Sequence, residues 1–118
     1  MATIIDRAQA QNLIQQFQAE NSAAGGPNLL TTDGNFLNGF FVDADCVNAI
    51  MASDPNIAGI HVYFAKHPLY DGQPGRYYTI MIMGSEINTA PGAATPYVSN
   101  GDVFDTNPPC PPYCCNLG

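Results

Sequence analysis

The stretch Gly59-Ile60-His61-Val62-Tyr63-Phe64-Ala65-Lys66 decides how the rest of this chain is read. Ile60, Val62 and Phe64 alternate with His61, Tyr63 and Ala65, the period of two that a β-strand imposes on its side chains. A second alternating run, Arg76 to Glu86, sets Tyr78, Ile80 and Ile82 against Tyr77, Thr79, Met81 and Met83. Between the two lies His67 to Gly75 with Pro68, Asp71-Gly72 and Pro74-Gly75, all turn formers. The expectation is an antiparallel hairpin with a long loop.

Upstream of the hairpin the period changes to that of a helix. From Thr3 to about Asn21, Ile4, Ala8, Leu13, Ile14 and Phe17 fall near helical spacing among Gln and Glu residues, with Thr3 as the expected N-cap. Ser22 to Pro27 ends that helix with Gly25-Gly26. Phe40-Phe41-Val42 reads as a short buried strand. Asp43 then caps a second helix striped by Val47, Ile50 and Met51 and closed at Asp54-Pro55-Asn56. The order helix, strand, helix, strand, strand predicts an α+β domain over residues 1-87, with two helices packed on a small, mainly antiparallel sheet.

Downstream, residues 88-118 hold six of the ten prolines and three of the four cysteines, so they read as an extended Pro/Cys-rich tail docked on the domain or on a neighbouring subunit. Tyr97-Val98 and Val103-Phe104 are its extended pieces, with Asn100-Gly101 as a turn between them.

Gly39-Phe40-Phe41-Val42-Asp43 leading into a helix, the strand Gly59 to Ala65 and the terminal Pro109-Cys110-Pro111-Pro112 together resemble a group of small uncharacterised proteins of Bacteroidota-type bacteria ending in a Pro-Cys-Pro-Pro signature. The resemblance spans most of the chain and implies the fold only; it brings no activity, cofactor or catalytic residue. Cys114-Cys115 and the Gly- and Asn-rich stretch at 25-38 depart from that group's pattern.

Composition narrows the partners. The 118 residues suit one domain, and only 11% are charged, under half of the usual quarter or so, so eleven Asn and six Gln supply much of the wet surface. Three basic residues against ten acidic ones give a net charge of -7, which repels a phosphate backbone and argues against nucleic acid. No run is long and apolar enough for a membrane span, and the start of the chain lacks the basic residues and apolar core of a secretory signal. The cytoplasm is the default compartment, with an extracellular location left open.

Candidate sites are few. Cys110, Cys114 and Cys115, with His61 or His67 as a fourth ligand, are candidates for zinc or copper because thiolate and imidazole suit both metals, although the spacing is not that of paired Cys-x-x-Cys knuckles. A disulfide competes for the same thiols: four cysteines, Cys46 included, allow three complete pairings that sequence does not rank. Asp43-Ala44-Asp45 is read as a cap and not as a cation site. No nucleophile and base pair, phosphate loop or dinucleotide fingerprint is present, so the expectation is a protein that is not an enzyme and needs no cofactor. The function expected is a non-enzymatic interaction or self-assembly module, a homo-oligomer, with Tyr63, Tyr77, Tyr78, Pro111, Pro112 and Tyr113 as contact residues. The alternative is a thiol-dependent metal-binding or redox protein working through the terminal cysteines.

Overall fold

The computed structural model describes residues 2-67, 77-105 and 108-116. Its elements are α1 (Arg7–Ser22), β1 (Gly39–Phe40), α2 (Ala44–Ser53), β2 (Gly59–Lys66), β3 (Tyr78–Ile87), β4 (Tyr97–Val98), β5 (Val103–Phe104) and β6 (Pro109–Cys110). The class is α+β with antiparallel pairing throughout the named strands.

The expected antiparallel pairing of the two runs forms, with Gly59 opposite Ser85 and Lys66 opposite Tyr78. Its loop falls within residues 68-76, outside the described residues. Opposite partners share a face, so Ile60, Val62, Phe64, Tyr78, Ile80, Ile82 and Gly84 lie on one side, and His61, Tyr63, Ala65, Thr79, Met81, Met83 and Ser85 on the other. β3 is paired on both edges. Along the edge away from β2, β5 pairs at Ile82 and Met83 and β4 at Glu86 and Ile87, so residues 97–104 run beside β3 as one interrupted strand. β6 pairs with β1 in a separate two-stranded ladder, with Gly39 opposite Cys110.

α2 starts at Asp43, whose carboxylate accepts the Cys46 N–H at 2.7 Å. Its Ile50 packs on Ile80 and Ile82, with Phe40, Val42, Cys46, Ile57 and Phe104 around them. The approach is close at Gly84, where a Cβ would stand 2.7 Å from Ile57 Cδ1 and 3.0 Å from Ile50 Cγ2. A side chain there would first have to displace the Ile57 and Ile50 methyl groups.

α1 begins later than its periodicity suggests. The N-cap is Asp6, not Thr3: the Asp6 carboxylate accepts the Gln9 N–H at 3.2 Å, and the Ile4-Ile5 pair stays outside the helix. Leu13, Ile14 and Phe17 are exposed, and the helix is fixed through its C-terminal turn. There Asn21, fully buried, donates through Nδ2 to the Leu37 carbonyl (2.8 Å) and accepts the Leu29 N–H at Oδ1 (2.7 Å). Asn28, at φ 49°, donates to the Asn21 and Ala23 carbonyls at 2.7 and 2.9 Å. Asparagine is one of the few residues that tolerates that left-handed backbone.

Asn21→Ala should therefore lower stability by about 3 kcal/mol, because it leaves the Leu29 N–H and the Leu37 carbonyl buried and unpaired. A chemical-denaturation midpoint checks it; a shift worth under about 1 kcal/mol would mean the turn is held by something else.

Candidate functional site

The feature that stands out is what β2 leaves uncovered. α2 covers the β3 half of the shared sheet face, where Ile80 and Ile82 are buried, and stops short of β2. Phe64 is 84% exposed, Val62 53% and Ile60 39%, although the three carry the apolar face of the strand. Only four apolar side chains are buried among the described residues: Leu37, Ile50, Ile80 and Ile82. A strand face this apolar is ordinarily covered, and contiguous exposed apolar patches mark contact sites.

β2 is also an edge strand: among the described residues it pairs with β3 alone. Because the His67 N–H donates to the Tyr77 carbonyl at 3.2 Å, the odd-numbered residues turn their backbone groups toward β3. The even-numbered ones, Ile60, Val62 and Phe64, turn theirs outward. No charged side chain lies between Gly59 and Ala65, and no proline interrupts the strand, so its edge protection is limited to Lys66 at its end.

On the opposite face the structure assembles a polar and aromatic cluster. His61 Nδ1 and the Ser85 hydroxyl share a hydrogen bond of 2.6 Å, Tyr63 stacks on the imidazole at 5.9 Å between centroids, and Tyr97 meets it edge-on at 5.5 Å. A cleft of about 280 Å³ opens between them and Met83. Tyr97 comes to His61 from β4, while Tyr77 lies at the other end of the hairpin, bonded to His67 through the backbone. Ser85 is buried, and the described residues show no third side chain orienting the imidazole as in a hydrolytic triad. A second, apolar groove of about 400 Å³ runs between Phe17 of α1, Phe40 of β1 and the pair Phe64 and Tyr78 on the hairpin. The Lys66 ammonium sits 5.4 Å from the Tyr78 ring centroid, in cation–π range.

The terminal cysteines do not gather into a ligand set. Cys110 and Cys114 are joined in a disulfide with Cα atoms 4.8 Å apart, Cys115 is exposed, and Cys46 stays free beside the core. Among the described residues no group of three His, Cys, Asp or Glu side chains comes together as a metal site. The Pro111 and Pro112 peptide bonds are cis, and the chain turns there, with the Tyr113 N–H donating to the Pro109 carbonyl at 3.0 Å. Of the expected contact residues, Tyr63 and Tyr113 are exposed at 58% and 57%, Pro112 is exposed, and Tyr77, Tyr78 and Pro111 are half-buried.

No known protein family, curated protein or solved structure matches this chain.

Burial, and then the Asp43 carboxylate, hold the Cys46 thiol above its usual range, so less of it is thiolate at neutral pH. Iodoacetamide should accordingly modify Cys115 well before Cys46 in the folded, unreduced chain. Asp43→Asn, which keeps a capping side chain, should speed Cys46 modestly; equal rates for the two thiols would contradict the account.

Proposed function

We propose that this protein is a non-enzymatic self-assembly module whose contact element is β2. The observation that carries the reading is the coincidence, on the same three residues, of exposed apolar side chains and outward-facing backbone groups: Ile60, Val62 and Phe64. Each property alone is common. Together they describe a strand that gains both ladder hydrogen bonds and apolar burial when another strand is added.

Charge agrees with this. A net charge of -7 keeps the molecules apart in general, whereas β2 carries only Lys66 and lets that one surface approach. The exposed apolar side of α1, at Leu13, Ile14 and Phe17, adds to the area that association can cover. A thiol-dependent role has less support, since Cys110 and Cys114 are engaged with each other.

Sedimentation or size-exclusion with light scattering at tens of micromolar should find a dimer or larger species that reductant does not dissolve. Phe64→Lys should shift it to monomer with little loss of thermal stability, because the side chain is 84% exposed. A wild-type chain that stays strictly monomeric at high concentration overturns the proposal.

A further inference from the structure

The Ser85 side chain is buried, and its one hydrogen bond among the described residues is the 2.6 Å contact with His61 Nδ1. A buried hydroxyl proton needs an acceptor, so Ser85 donates and Nδ1 accepts. The ring proton of the neutral imidazole then lies on Nε2. That N–H has no partner among the described residues. It is also open to solvent, because Asn38 Oδ1 is the one buried side-chain polar atom left unpaired there. His61 therefore offers a fixed, neutral donor in the cleft of about 280 Å³, on the face of the sheet away from Ile60, Val62 and Phe64.

The walls narrow what that donor can meet. Tyr63, Tyr97, Met83 and Ser99 line the cleft with neutral residues of the 95–98 stretch, and no Asp, Glu, Lys or Arg is among them. No acid is there to hold a cation, and a net charge of -7 opposes an anion, so the fitting occupant is neutral and carries an oxygen acceptor. Ring geometry then separates two neutral classes. Tyr63 lies 13° from the imidazole plane and Tyr97 63° from it, which leaves the two tyrosine rings steeply inclined to each other. Rings so inclined do not form the parallel walls that clamp a planar heterocycle on both faces. They suit a thick saturated ring, with C–H groups on its faces and hydroxyls around its edge. Tyr63 is 58% exposed and Tyr97 39%, so both have surface for such C–H contacts, and Ser99 adds a hydroxyl without a partner among the described residues. The volume stands at the small end of ligand pockets and suits one such ring.

We infer that this cleft binds one neutral sugar ring, packed on Tyr63, with a sugar oxygen accepting from the His61 Nε2–H. Ser85 is the positioning residue: it touches no sugar and sets the tautomer of the imidazole that does. The inference does not depend on the assembly reading, since the cleft and the apolar side chains of β2 lie on opposite faces.

The test is a nuclear magnetic resonance titration of the isotope-labelled full chain with methyl glucoside, methyl galactoside, methyl mannoside and N-acetylglucosamine. At least one of them should shift the amide signals of His61, Tyr63, Ser85 and Tyr97 with a millimolar Kd, as expected of a small, open site. Tyr63→Ala should weaken that binding about tenfold, the worth of one ring contact, whereas Phe64→Ala on the opposite face should leave it unchanged. At mildly alkaline pH, where the imidazole is neutral, its nitrogen signals should show the Nε2–H form in the wild type and a mixture of tautomers in Ser85→Ala. Absence of these shifts with all four sugars, or tighter binding of a planar probe such as nicotinamide than of every sugar, overturns the inference. An Nδ1–H tautomer in the wild type overturns the role given to Ser85.

Discussion

The structure depends on β3 having ladder partners on both of its edges. Its side chains at Thr79, Ile80, Ile82 and Ser85 are buried, so its backbone groups must find protein partners and not water. β2 supplies one set. The other comes from residues 97–104, in two short pieces separated by a bend. The segment that composition marks as a tail is therefore part of the sheet. This arrangement puts β2, the longer and more apolar flank, on the outside, while the shorter flank beyond β3 is broken by the bend. Thr79 reinforces that side by donating to Asp105 at 3.0 Å.

A sheet so placed needs a cover, and α2 provides it for one half only. Gly84 admits Ile50 and Ile57 to the strand, and the resulting core is small. Fully burying an isoleucine contributes about 1.5–3 kcal/mol, so three of them at the centre leave much of the cohesion to polar contacts. Asn21 illustrates this. It closes α1 onto the 28–38 segment with bonds to Leu29 and Leu37, a polar clasp at a fully buried position. Low charge and abundant asparagine are thus not only surface composition; some of those amides are structural.

The exposed side of β2 follows from the same economy. Covering Val62 and Phe64 within one chain would need a third helix or a better placed first one, and α1 is instead held at its C-terminal end, with Phe17 across an apolar groove from Phe64. In the proposed assembly a second copy would bring its own Ile60, Val62 and Phe64 to that edge without any added sequence. The neutral run from Gly59 to Ala65 matters here, because the remaining surface is acidic enough to oppose close approach elsewhere.

By itself the sequence determined the local elements: β2 to the residue, α2 with its Asp43 cap, and the hairpin face that carries Ile60, Val62 and Phe64. These depend on periods of two and 3.6 and on capping chemistry, all encoded within a few residues of each other. Only the tertiary structure decided which edge of β3 the 97–104 segment joins, that Tyr97 and not Tyr77 meets His61, that Cys110 pairs with Cys114, and that Asn21 is buried. Strand addition is made by backbone groups that every residue shares, so side-chain pattern names a strand without naming its neighbour. The pairing of cysteines and the burial of an amide likewise depend on distances set by the whole chain, which spacing along the sequence does not specify.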